Sequence, residues 1–175
     1  GCTALTTVTF ADLDKRTANL TLGKYAFRNS GLTSITLPKS VSQIPTYCFN
    51  GCAALTTFDI QDGVTKLTIE DYAFSNSGLT AISIPAAATK IGAYAFSGCE
   101  ALKTITFNDN KTMTIGKYAF NNCKSLTAIA LPDAVTTLNE YTFAGAGALA
   151  SVTMNKVKTV GNSVFSGCKA LTGIT

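Results

Sequence analysis

Phenylalanine recurs along this chain at Phe27, Phe49, Phe74, Phe96, Phe120, Phe143 and Phe165, with successive spacings of 22, 25, 22, 24, 23 and 22 residues. All six tyrosines, Tyr25, Tyr47, Tyr72, Tyr94, Tyr118 and Tyr141, stand two residues before one of these markers, and Ser163 fills the seventh place. Phe10, Phe58 and Phe107 also fall at repeat positions and there is no tryptophan, so the period accounts for every aromatic residue. Such self-similarity restricts the chain to a stacked array. One unit of about 23 residues cannot bury its own apolar face, and neighbours must close a shared core.

Each unit carries an L-x-x-I-x-L pattern: Leu5/Val8/Phe10, Leu32/Ile35/Leu37, Leu55/Phe58/Ile60, Leu79/Ile82/Ile84, Leu102/Ile105/Phe107, Leu126/Ile129/Leu131 and Leu149/Val152/Met154. The last two apolar positions are two apart and flanked by Thr, Ser or Ala, the period of a strand with one buried face. Leu22, Ile44, Ile69, Ile91, Ile115, Leu138 and Val160, each five residues before a marker, supply a second inward contact. Equivalent strands of successive units run the same way, so the expected fold is a right-handed repeat solenoid with a parallel β-sheet and about seven repeats of 22–25 residues. At strand spacing this makes a rod of roughly 35 Å. The Tyr-Ala-Phe-x-Gly-Cys return path reads as a short helical or 3-10 turn.

A second period overlies the first. Pro38, Pro85 and Pro132 follow the strands of alternate units and are 47 residues apart. The intervening units carry charged connections, Ala11 to Arg16, Gln61-Asp62-Gly63 and Asn108 to Lys111, which suggests that the true unit is a pair. Leu20-Thr21-Leu22, Leu67-Thr68-Ile69 and Met113-Thr114-Ile115 alternate strictly in that second set, predicting an additional short strand there.

Composition narrows the function. With 46% apolar and only 14% charged residues the chain is too hydrophobic for disorder, yet no run approaches the roughly 18 to 20 apolar residues of a membrane helix. There is no histidine, which removes histidine triads, imidazole acid/base chemistry and histidine metal ligands. The net charge of +4 is scattered about one lysine per unit, unlike the clustered basic face of a nucleic-acid reader. No targeting signal lies within these residues.

Candidate chemistry falls into columns. Cys2, Cys52, Cys99, Cys123 and Cys168 share one repeat position and read as a ladder of buried thiols. A Cys99–Cys123 disulfide between adjacent units, or a Cys48–Cys52 pairing within one turn, is geometrically open. The tyrosine column reads as a stacking ladder over the core, with a binding stripe as the alternative. Asp12, Asp14, Asp62 and Asp109 read as solvated loop residues rather than a calcium cage, so no metal or cofactor is expected. Asn19-Leu20-Thr21 and Asn110-Lys111-Thr112 match the glycosylation sequon. Outward strand positions supply the candidate binding face: Thr7, Thr9, Ser34, Thr36, Thr57, Asp59, Ala81, Ser83, Thr104, Thr106, Ala128, Ala130, Ser151 and Thr153. This surface is small, polar and almost uncharged, suited either to a pleated sheet as such or to a shallow platform for protein or glycan contacts.

The full motif L-x-x-I-x-L-P-x-x-V-x-x-I-x-x-Y-A-F-x-G-C, seen whole from Leu79 to Cys99, resembles the BspA-like class of leucine-rich repeats, and the resemblance covers the entire chain. It implies an extracellular or cell-surface, non-enzymatic module mediating adhesion to a protein or glycan of a host or neighbouring cell. Departures include Ser163-Val164-Phe165 in place of Tyr-Ala-Phe and Ser or Ala146 in the cysteine column. The chain starts and stops within repeats without polar caps. It is expected to be a single array, residues 1–175, from a longer protein, with a spacer or end-to-end self-assembling element as the alternative.

Overall fold

Alternation of Ile, Leu, Val and Phe with Thr and Ser gives each coil an extended segment whose apolar side chains point one way. The computed structural model describes residues 1–10 and 20–175. Its first row of strands is β1 (Ser34–Leu37), β3 (Thr57–Ile60), β5 (Ala81–Ile84), β7 (Thr104–Phe107), β9 (Ala128–Ala130), β11 (Ser151–Thr153) and β13 (Gly173–Ile174). A second row consists of β2 (Gln43–Ile44), β4 (Leu67–Ile69), β6 (Ala88–Ile91), β8 (Thr114–Ile115), β10 (Thr137–Leu138) and β12 (Thr159–Val160). Every pairing is parallel and shifts the register by one coil, as in Ile35 opposite Phe58 and Ile82 opposite Ile105. The result is a parallel β-solenoid.

Two expectations change. The second strand occurs in both kinds of coil rather than only in the loop-bearing ones, because Ile44, Ile91, Leu138 and Val160 stack on their equivalents just as Ile69 and Ile115 do. At the first coil no strand forms over Leu5 to Phe10 or Leu20 to Leu22. A gap of about 220 Å³ lies between Thr7 to Phe10 and Ser34 to Thr36, so the first of these segments does not close into a ladder with β1.

The return path is not helical, and no helix exists among the described residues. Tyr25, Tyr47, Tyr72, Tyr94, Tyr118 and Tyr141 all have φ between 56 and 62°, in the left-handed region, and two residues past each marker a second left-handed position is held by Asn29, Gly51, Asn76, Gly98, Asn122, Gly145 or Gly167. This makes the backbone N–H groups alternate. Ala73, Ser75 and Ser77 donate three residues back within their own coil, whereas Tyr72, Phe74 and Asn76 donate to Ala93, Ala95 and Ser97 of the next coil at 2.8 to 2.9 Å. A helix would turn every N–H along its own axis and leave the coils unbonded on this side.

The pair period has a physical cause on the same side. A Cβ at Gly51, Gly98 or Gly145 would meet the Oδ1 of Asn29, Asn76 or Asn122 at 2.0 to 2.1 Å, so each asparagine requires a glycine in the coil above it. The strand ladders do not share this grouping: β1–β3 and β5–β7 are separate two-stranded ladders, while β2–β4–β6–β8 runs through four coils.

The markers form the spine of the core. Seven rings from Phe27 to Phe165 stack in succession with centroids 5.2 to 5.9 Å apart and planes within 11°. Phe49, Phe74, Phe96, Phe120 and Phe143 have no exposed surface. Each stacked pair adds about 0.5 to 1.5 kcal/mol beyond area burial. Phe96→Ala is therefore expected to cost about 3 to 5 kcal/mol in chemical denaturation by opening a cavity mid-stack, while Thr104→Ala, on the exposed side of β7, is expected to stay within about 0.5 kcal/mol. The reverse order would exchange inside and outside.

Candidate functional site

The first strand row presents its polar positions to solvent, as its spacing requires. Thr7, Ser34, Thr57, Ala81, Thr104, Ala128 and Ser151 form one exposed line, and Thr9, Thr36, Asp59, Ser83, Thr106, Ala130 and half-buried Thr153 the next. Register places Ser34 beside Thr57, Thr36 beside Asp59, Ser83 beside Thr106 and Ala130 beside Thr153. All the candidate face residues thus lie on one surface. Asp59, the single charge in these two lines, accepts the backbone N–H of Ile60 at 2.8 Å.

A third line escaped the sequence reading because its members precede the strands. Thr56 and Thr80 donate their hydroxyls to the carbonyls of Thr33 and Thr56, and Thr172 to that of Ala150, each one coil back at 3.3 to 3.4 Å. Its signal was the threonine that follows the motif leucine in most units.

Beside the face the charged connections form the rims of two equivalent clefts, one coil pair apart. One, of about 300 Å³, lies between Asp59 to Val64 and Pro85 to Ala87; the other, of about 550 Å³, lies between Phe107 to Lys111 and Pro132 to Ala134. Asp62 is exposed, and Asp109 is tied to Lys111 at 2.7 Å. Asp12 and Asp14 lie outside the described residues, as does Asn19. Among the described residues no group of three acidic, cysteine or histidine side chains is placed to hold a metal. The second sequon is closed: Asn110 is 4% exposed, and its Nδ2 donates to the carbonyls of Pro85 and Ala88 at 2.8 and 3.0 Å.

All six cysteines are free thiols, so neither open pairing forms. Instead Cys52, Cys99, Cys123 and Cys168 donate to the carbonyls of Phe27, Phe74, Phe96 and Phe143 in the coil before, at 2.9 to 3.3 Å. Ser30 and Ser77 occupy the column where cysteine is missing and contact Cys52 and Cys99 at 3.3 Å. Burial pushes the Cys48 thiol up to about 12 and the Cys99 thiol up to about 11. Cys2, placed in the column by extrapolation, is exposed.

The tyrosines form a second stack at the surface, with centroids 4.5 to 5.1 Å apart and planes within 10°. The Arg28 guanidinium lies 5.6 and 5.7 Å from the Tyr25 and Tyr47 ring centroids. Burial, then the neighbouring phenols and acidic groups, raise Tyr72 and Tyr118 above the ordinary value of 10.0. On the second strand row Glu70 bridges Gln43 at 3.0 Å and Lys90. No helix of the described residues is long and apolar enough to cross a membrane.

Parallel strands stacked coil on coil, a leucine-rich inward pattern and a flat polar strand face define a leucine-rich-repeat solenoid. The chain belongs to the family described as the BspA type leucine rich repeat region, six copies of which match residues 1–68 and 67–175. It is similar to a leucine rich cell surface protein of Faecalibacterium prausnitzii, with 28% identity and a TM-score of 0.61 over 86% of this chain and 49% of that one. It is also similar to the leucine rich repeat protein of T. pallidum, with 28% identity and a TM-score of 0.75 over 85% of this chain and 70% of that one. The pneumococcal vaccine antigen PcpA, at 20% identity and a TM-score of 0.50 over 82% of this chain and 50% of that one, shares the fold alone. The chain spans about half the length of the Faecalibacterium structure. Among curated protein sequences there is no match.

Two outcomes follow from these columns. The folded chain holds the Tyr72 and Tyr118 phenols protonated more firmly than the unfolded one. Their contribution to stability is complete below pH about 10 and is lost as pH rises through the folded values, which an alkaline series of thermal midpoints checks; Tyr72→Phe and Tyr118→Phe should flatten that loss. In a thiol titration of the native protein, Cys2 should react promptly and Cys48, Cys52, Cys99 and Cys123 only on unfolding.

Proposed function

We propose that the chain is a non-enzymatic binding module of a secreted or surface-attached protein, engaging a protein or glycan of a host or neighbouring cell through the outward face of β1, β3, β5, β7, β9 and β11. The observation that carries this reading is the continuous line of exposed Thr, Ser and Ala side chains, repeated coil after coil with Asp59 as the one charge. Such a surface offers many equivalent weak contacts to an extended partner, and these add by multivalency without a deep pocket. Kinship with a cell surface protein supports the placement outside the cell, and leucine-rich-repeat solenoids are generally non-catalytic.

The alternative reading is a spacer or an end-to-end self-assembling element. Light scattering over a concentration series separates the two, since growth into longer rods would place the interface at the ends.

For the lateral face, the test is binding of the monomer to immobilised matrix proteins and a glycan panel, with Thr57→Lys and Thr104→Lys as probes. The partner should bind the parent and lose at least tenfold in affinity with either variant, at unchanged denaturation midpoint. Binding indifferent to both lysines would overturn the assignment of this face.

A further inference from the structure

The tyrosine column has geometry that the binding reading does not use. Six phenol rings lie in one unbroken stack, with successive centroids 5.1, 4.7, 4.7, 4.5 and 4.6 Å apart. All six backbones adopt the same left-handed turn, and successive ring planes lie within 10° of one another. Unlike the phenylalanine spine, this stack is at the surface: Tyr25 is 49% exposed and the other five rings are half-buried. The chain has no tryptophan to compete for an oxidising hole. Cys48, Cys52, Cys99 and Cys123 are buried, and so is Met113. Apart from the exposed Cys2 and the half-buried Cys168 and Met154, a one-electron oxidant arriving from solvent therefore meets phenols before these buried groups.

We infer that the tyrosine column is a site of oxidative cross-linking, in which a haem peroxidase with hydrogen peroxide joins tyrosines of successive coils as dityrosine. Each of two adjacent phenols gives up one electron and its hydroxyl proton, leaving a pair of phenoxyl radicals. Their unpaired spin resides on oxygen and on the ortho carbons Cε1 and Cε2, the para carbon being blocked by the link to Cβ. An ortho carbon of one ring bonds to an ortho carbon of the next, and each of these carbons then loses its hydrogen as a proton while its oxygen regains one. The sum is two tyrosines and one hydrogen peroxide giving one dityrosine and two waters. Stacking supplies what the coupling needs, two radicals held side by side, and each bond staples one coil to its neighbour.

The experiment treats the dilute protein with a haem peroxidase and limiting peroxide. It follows dityrosine fluorescence, the mass of the chain and the cross-linked peptides. The expected product is a monomer lighter by two hydrogens for each bond, with links confined to Tyr25–Tyr47, Tyr47–Tyr72, Tyr72–Tyr94, Tyr94–Tyr118 and Tyr118–Tyr141. Tyr94→Phe, which keeps a ring in the stack, should abolish the two links that include position 94 and leave the other three, with a thermal midpoint close to that of the parent. Links between non-neighbouring tyrosines, covalent dimers as the main product, no dityrosine at all, or the same neighbour pattern from the urea-unfolded chain would each overturn the inference.

Discussion

A solenoid of short strands survives only if the polar backbone of every coil is answered by the coil beside it, because a buried N–H or C=O left without a partner costs about 1 to 3 kcal/mol. Here that demand is met along three rows rather than two. The two strand rows satisfy it in the ordinary parallel manner, and the Tyr-x-Phe turn satisfies it through its alternation of local and coil-to-coil donors. The left-handed tyrosine makes the third row possible. Strain of order 1 kcal/mol at such a residue is offset by the aromatic stack that the same turn lines up. Fold and aromatic columns are thus one device, since the backbone bonds set the coil spacing and the spacing sets the distance between rings.

The same spacing organises the polar columns. Thiols that would be reactive on a surface become coil-to-coil donors to phenylalanine carbonyls, and serine replaces them where the neighbour offers a sulfur instead. Hydroxyls of Thr56, Thr80 and Thr172 do likewise beside the strand face. Polar atoms near the core are therefore spent on stitching, and what remains outward is the neutral surface to which the binding role is assigned.

Much of this was legible before any coordinates. The marker spacing gives the stack of Phe27 to Phe165, the two-residue alternation gives the faces of β1 to β11, and a common distance from the marker gives the cysteine column. What was not legible is conformational. Nothing in Tyr-Ala-Phe announces a left-handed tyrosine, since φ above zero is foreign to aromatic residues, and a compact run with three-residue bonds looks helical from its sequence. The alternation of Asn29, Gly51, Asn76, Gly98 and Asn122 was the available sign, because asparagine and glycine are the residues that tolerate that region. The missing strand at Leu5 to Phe10 was invisible for another reason: its motif is intact, and only the gap between it and Ser34 to Thr36 marks it off.

The asparagine that overhangs a glycine has a consequence for how such an array changes length. Removing two coils together restores the same succession of asparagine and glycine, so the cut ends meet as the originals did. Removing the single coil of Gly51 or of Gly98 sets one asparagine directly above another, where the upper Cβ collides with the lower amide oxygen at the approach seen at those glycines. Loss of an asparagine-bearing coil has no such penalty, because it leaves glycine above glycine, the succession already present at Gly145 and Gly167; the overhang therefore decides which single coil can be lost, while steps of two coils, about 47 residues, are always in phase.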